Sequence, residues 1–254
     1  VAKIKMAENR FDNKLSSHTP RLQPLYKQVE EHLIQLIVEQ RWKAGEKLPS
    51  EFELANELKV SQGTVRKALN KLTTDKVLTR RQGVGTFVTE YTSSHGLYRF
   101  FPVIADGMTP ELPKAILLNK QEISPTLQVQ QALKLRNDEK VIVLTRLRLL
   151  LDEPFILETI FLPTKYFSAL MSINEVPHTL YHFYQTQFNL TVQNTHDELK
   201  AVIVDSYAAE KLAIAEGSPV LQSIRLTRSL AGKLIEFRIS LCRSDKYHYA
   251  VDLG

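Results

Sequence analysis

Cysteine is nearly absent: Cys242 is the single thiol in 254 residues. One thiol cannot close an internal disulfide, so a reducing compartment is compatible and a disulfide-stapled scaffold is excluded. Long uncharged apolar runs are also missing, so no segment reads as a bilayer-spanning helix. The strongest apolar run, Val141–Leu151, is interrupted by Arg146 and Arg148 and suits a strand better. The N-terminal residues show no basic n-region followed by an apolar h-region, so no secretory signal is expected. Internal repeats and low-complexity tracts are absent too. What is left is the expectation of a cytoplasmic globular protein. Its 254 residues and 43% apolar content suffice for two ordinary domains.

Charge is unevenly placed. Residues 1–90 hold 16 Lys and Arg against 11 Asp and Glu, whereas residues 91–254 hold 17 of each. The whole net charge of +5 therefore lies in the N-terminal third. That asymmetry points to a polyanionic partner for this third alone.

Residues 1–22 are polar and aperiodic and read as a flexible arm. Residues 23–90 follow as three helices and a hairpin. In the first helix, about Leu25–Gln40, the apolar stripe is Tyr26, Val29, Leu33, Leu36 and Ile37. Ser50 with Glu53 forms an S-x-x-E capping box, which opens a second helix with Leu54, Ala55 and Leu58 inward. Lys59–Val60 makes a tight turn, and Ser61 is placed to cap a third helix. Val65, Ala68, Leu69 and Leu72 form the inner face of that helix; Gln62, Gly63, Arg66, Lys67, Asn70 and Lys71 form the outer one. Leu78–Arg81 and Thr86–Val88 flank Gln82-Gly83-Val84-Gly85 as a basic wing. This order predicts a winged helix-turn-helix, which lays its third helix in the DNA major groove.

Phosphates call for cations and amide donors, while base edges are read by side chains near the start of the recognition helix. Gln62 can pair with adenine in bidentate fashion, and Thr64 can reach phosphate or a thymine methyl. Gly63 lets the backbone approach the duplex. Arg66 and Lys67 suit phosphate or guanine, Arg80 and Arg81 flank the wing, and Gly83 and Gly85 permit its turn. The residues expected to face DNA are Ser50, Glu51, Ser61, Gln62, Gly63, Thr64, Arg66, Lys67, Arg81, Gly83 and Gly85.

LPSEFELANELKVSQGTVRKALNKL, followed by GVGTFV, resembles the GntR family of bacterial transcription regulators, and the match runs from Pro24 to Val88. That family commonly carries arginine at the positions of Phe52 and Gln62. Both departures remove base or phosphate contacts, so the operator is not expected to transfer from relatives.

Residues 91–97 read as a small, polar linker. Residues 98–254 alternate like long antiparallel strands with a few helices, an α+β unit. TRLRLLLDEPFILETIFLP, HTLYHFYQTQFNLTV and the stretch from Ser218 to Leu253 resemble the UTRA effector-binding domain of HutC-like regulators, which is similar in fold to chorismate lyase. Arg146 and Arg148 are two apart on a strand, so they project from one face, and adjacent guanidiniums favour an anion between them. Glu158 lies on the expected partner strand, and Glu236 and Arg238 repeat the pairing. Thr179 and Tyr181 sit at or near a helix N-terminus, where amides favour anions. The resemblance implies effector contacts at Arg146, Arg148, Glu158, Thr179, Tyr181, Glu236 and Tyr247. The alternative is a set of structural ion pairs on a solvated sheet. Thr179 stands where sugar-phosphate-sensing members often have serine, and the preceding loop RFFPVIADGMTPELP is more apolar than theirs. His178 and His182, four apart, have no carboxylate or cysteine to complete a metal set.

Together these readings imply a ligand-responsive transcriptional regulator, usually a repressor in that subfamily. Expected partners are double-stranded DNA with a near-palindromic operator, a small carboxylate- or phosphate-bearing effector, and a second copy of the chain. No membrane, cofactor or metal is implied. A chorismate-lyase-like enzyme would have no need of a DNA-reading head, and no catalytic constellation stands out. A purely architectural DNA binder would need no ligand domain.

Overall fold

The computed structural model describes residues 23–91, 103–106 and 113–251. The expected arm, nearly all of the linker, and most of the apolar loop before Pro113 lie outside the described residues.

Helix α1 spans Leu25–Val38 and buries Val29, Leu33 and Ile37; Gln40, at φ 63°, turns the chain out of it. Helix α2 spans Glu51–Leu58. Its capping box is complete: Ser50 Oγ accepts from Glu53 N at 3.2 Å, and Ser50 N donates to Glu53 Oε2 at 2.7 Å. Lys59 ends it in the left-handed region at φ 52°. Helix α3 spans Gln62–Thr74, starts at the Ser61 cap, and buries Val65, Ala68, Leu69 and Leu72 against α1 and α2. Strands β1 (Leu78–Arg81) and β2 (Gly85–Val88) form the wing. Gly45–Leu48 adds a third extended segment, bonding through backbone to Thr86 and Val88. The wing turn needs glycine: Gly85 has φ +142°, and a Cβ there would stand 2.6 Å from Lys47 Cε.

The second unit is a six-stranded antiparallel sheet. Its strands are β4 (Lys114–Ile123), β5 (Val141–Leu150), β6 (Glu153–Pro163), β7 (Val192–Ile203), β8 (Pro219–Ser229) and β9 (Leu234–Arg243), in the spatial order β4-β5-β6-β9-β8-β7. Two short strands, β3 (Val103–Ala105) within the apolar loop and β10 (Tyr247–Tyr249), pair with each other.

Helices cover both sheet faces. Helices α4 (Leu127–Leu133) and α7 (Ser206–Leu212) pack on one. The other receives, at one end, the short helix α5 (Thr164–Phe167), a 3-10 turn (Ser168–Ser172) and helix α6 (Leu180–Phe188) over Ile142, Leu144, Ile160 and Leu162. At its other end, β3 and β10 cover Leu150, Phe155, Ile156 and Cys242. On this second face a strip of charged residues lies between the two apolar ends. Leu230, in the β8–β9 hairpin, joins the buried apolar cluster of the N-terminal head.

Gly85→Ala is expected to strain the wing turn and destabilise the head by about 1–3 kcal/mol, since no L side chain is at ease at that φ. Urea unfolding of the variant beside the parent chain measures this.

Candidate functional site

Two surfaces carry the chemistry. The first is the outer face of the head. Ser61 Oγ accepts from Thr64 N at 3.2 Å and lies 2.8 Å from Thr64 Oγ1, which ties both hydroxyls to the start of α3. Gln62, Gly63, Arg66 and Lys67 are exposed beside them. Lys67 sits 4.0 Å over the Tyr26 ring and Arg81 4.3 Å over the Phe87 ring, so both cations are held by aromatic faces. Phe52 is 63% exposed. Ser50 is engaged in its capping box. Glu51 is occupied in another way: its Oε2 accepts from Arg66 Nε at 2.8 Å and its Oε1 from Arg80 Nη2 at 3.2 Å.

The second surface is internal. Strand register sets Arg146 opposite Glu158, Arg225 opposite Arg238, Thr227 opposite Glu236, and Asp197 opposite Arg225. Arg146 grips Glu158 through Nε at 2.6 Å and through Nη2, and it donates to the Pro177 carbonyl at 3.0 Å. Arg238 bridges two carboxylates, Glu158 at 3.1 Å and Glu236 at 2.9 Å. Glu236 also accepts from Tyr181 at 3.1 Å, Tyr184 at 2.7 Å and Thr227 at 3.1 Å. Arg225 makes a fork with Asp197, both bonds at 2.6 Å, and Tyr249 donates to the same carboxylate at 2.9 Å. Arg148 stands 3.8 Å from Glu158 and donates to the His178 carbonyl at 3.3 Å and the Pro113 carbonyl at 3.5 Å. Among the described residues, four guanidiniums thus share three carboxylates (Glu158, Glu236 and Asp197).

Burial and charge oppose each other in this band. Burial pushes the Glu158 carboxyl up, yet Arg146, Arg238 and Arg148 together hold it down at about 2. For Arg148 burial wins: one carboxylate cannot offset it, and neighbouring Arg146 and Arg238 add repulsion, so its pKa falls to about 10. Burial, then the charge of Glu236, raises both Tyr181 and Tyr184, so both phenols remain donors. Between β3, β10 and the sheet lies a cavity of about 40 Å³, lined by Glu158, Arg225, Arg238, Ser240 and Tyr249 among others. That is room on the order of one or two waters.

Five of the seven expected effector residues meet here: Arg146, Arg148, Glu158, Tyr181 and Glu236. The ion pairs are real, but they are buried; the alternative of a solvated sheet does not describe them. Thr179 caps α6 without a side-chain cap bond, next to the His178 carbonyl that Arg148 touches. Tyr247 lies elsewhere: it packs on Phe155 at 5.0 Å and lines a different hollow, because β10 pairs with the short strand β3. His178 precedes α6 and bonds the Ala115 backbone, so it does not pair with His182 along one helix. Sequence reasoning missed Arg225, Thr227, Asp197, Tyr184 and Tyr249. Arg225 and Thr227 could have been found, since they share parity on a strand with buried Ser229.

The two surfaces are joined by Gln185 on α6. Its Oε1 accepts from Tyr91 N at 3.2 Å and its Nε2 donates to the Thr89 carbonyl at 3.0 Å. Tyr91 itself is buried and donates its hydroxyl to the Val192 carbonyl. One short helix therefore touches Glu236 through Tyr181 and Tyr184 and clasps the chain leaving the head one residue further on.

Residues 25–88 match the family of bacterial regulatory proteins called gntR, and residues 111–248 match the UTRA domain. The chain is 31% identical over 242 residues to the HTH-type transcriptional regulator Rv0792c of Mycobacterium tuberculosis, covering 91% of this chain and 86% of that protein. It is 28% identical to the HTH-type transcriptional repressor NagR of Bacillus subtilis, covering 89% and 93%. In fold it is similar to PhnF of Mycobacterium smegmatis, with a TM-score of 0.54 at 21% identity over 89% of this chain and 99% of that one.

The depressed Glu158 carboxyl sets an acid limit. Its folded value lies below the ordinary 4.5. Its contribution to stability is therefore complete above that pH and lost as pH falls toward 2. Thermal melts across this window should drop steeply, by an amount on the order of 3 kcal/mol. In Glu158→Gln that part of the acid dependence should vanish.

Proposed function

The chain belongs to the gntR family of bacterial regulatory proteins that carry a UTRA domain, and from that premise we propose how its two halves act together. It is a ligand-responsive, DNA-binding transcription regulator and not an enzyme. The finer reading is a cytoplasmic repressor, in keeping with the repressor NagR among its relatives. A homodimer would hold two heads on a near-palindromic operator, since two-fold symmetric readers meet two-fold symmetric sites. DNA contacts fall to Ser61, Gln62, Gly63, Thr64, Arg66, Lys67, Arg81 and the wing glycines.

The observation that carries the ligand side is the charged band, where four buried guanidiniums stand among the described carboxylates Glu158, Glu236 and Asp197. A bound carboxylate or phosphate would find charge-assisted donors among these arginines. The present cavity of about 40 Å³ is too small for a metabolite. Admission requires the short β3–β10 pair to lift from the sheet, and three residue pairs hold it together. An anion among the arginines would compete with Glu236 for Arg238. Because Tyr181 and Tyr184 hang from Glu236, α6 would shift, and Gln185 would carry the shift to Thr89 and Tyr91.

Effector and operator must then weaken each other by the same factor. A thermal-shift screen of small carboxylates and sugar phosphates should find compounds that raise Tm. Band shifts with DNA upstream of the chain's own gene should show salt-sensitive binding that the same compounds loosen. Binding with no preference for that DNA would refute the reading.

The route through α6 can be tested without the ligand. Glu236→Gln and Gln185→Ala should be coupled in a double-mutant cycle on DNA affinity, by roughly 0.5–3 kcal/mol. Strict additivity would mean that the two ends of α6 act independently.

A further inference from the structure

Glu51 is the one carboxylate described on the DNA-facing side of the head that accepts from two arginines of different elements. Arg66 comes from α3 and Arg80 from β1, so this carboxylate joins the recognition helix to the wing. Its own side chain is 22% exposed, whereas Arg66 is 57% and Arg80 40% exposed. Arg66 spends only Nε on the pair, which leaves both of its terminal nitrogens without a hydrogen bond among the described residues. Arg80 spends one Nη and keeps the other donors.

A carboxylate at such a face is at first sight misplaced, because it repels phosphate. Both of its oxygens are already occupied by cations, which makes a direct base contact poorly available. Its position in the first turn of α2, after a completed capping box, fixes where those oxygens stand. A free arginine on a protein surface loses much of its rotamer freedom on docking. An arginine already held by Nε loses less.

We propose that Glu51 is a specificity-determining positioning residue: it aims Arg66 and Arg80 as one unit at the duplex and penalises any register in which the two are not matched. The inference rests on the DNA-binding reading of the head and assigns Glu51 a role distinct from the direct contact that the sequence suggests.

Simple electrostatics and positioning predict opposite outcomes for Glu51→Gln. Removing one negative charge without a positioning role raises affinity for every duplex alike. Loss of positioning raises or preserves affinity for unrelated duplex while lowering it for the preferred one. The test uses a duplex selected from random sequence by the parent protein, beside an unrelated duplex of equal length, at two salt concentrations. The ratio of the two affinities should fall about tenfold or more in Glu51→Gln, in the range that one well-aimed arginine supplies. The melting curve should be unchanged. In an Arg66→Lys background, which keeps charge but lacks the planar fork, the same Glu51→Gln change should alter the ratio much less.

An equal rise for both duplexes, or an unchanged ratio, overturns the inference and leaves the DNA-binding reading intact. If the parent chain itself selects no sequence and shows no salt-sensitive binding, the reading and the inference fall together.

Discussion

Four guanidiniums can be buried in one strip of a sheet only where carboxylates and hydroxyls stand among them. An unpaired buried charge would cost several kcal/mol. That requirement fixes much else. It ties β5 to β6 through Arg146 and Glu158, β6 to β9 through Glu158 and Arg238, and β7 to β8 through Asp197 and Arg225. A slip of one residue in any of these strands would turn a charge into the apolar layer on the opposite face. The band thus specifies register as well as offering a place for an anion. It also locates α6, since Tyr184 donates its buried hydroxyl to the Glu236 carboxylate and the Tyr181 hydroxyl bonds both Glu236 and Thr227.

Much of this was legible in the chain, and the reason differs from element to element. The head could be read because its signals are local: a capping box, a serine cap, helical spacing of apolar residues and glycines in the wing turn. Arg146, Arg148 and Glu158 could be read because a strand alternates with period two and the turn at Asp152 fixes which residues oppose. Asp197 and Arg225 could not be linked to them, because the order β6-β9-β8-β7 brings together strands far apart in sequence. Tyr247 was misplaced for a related reason. Its partner strand β3 is three residues long, too short to show a period inside an apolar loop. Gln185 gave no signal at all: a glutamine on a helix is unremarkable until its two backbone partners are seen.

The two halves obey different electrostatics. On the outside of the head, charges are exposed, screened by salt and held by aromatic rings or by Glu51, so they are ready to exchange water for phosphate. In the effector domain the charges are already desolvated, and any newcomer must replace an existing partner. Selectivity in the first case is a matter of aim, and in the second a matter of exchange.

Leu230 belongs to the effector domain by sequence and to the head by packing, where it lies 6% exposed within the head's apolar cluster. The head's interior is therefore completed by a side chain lent from a hairpin more than a hundred residues away. Excising residues 23–91 would leave a hole where that side chain sits and expose the surrounding apolar surface to water. Any swing of the head away from the sheet must draw Leu230 out like a peg from its socket. The resting state is thus a latched one, and the strength of the latch sets how large a push from the ligand is needed to spring it.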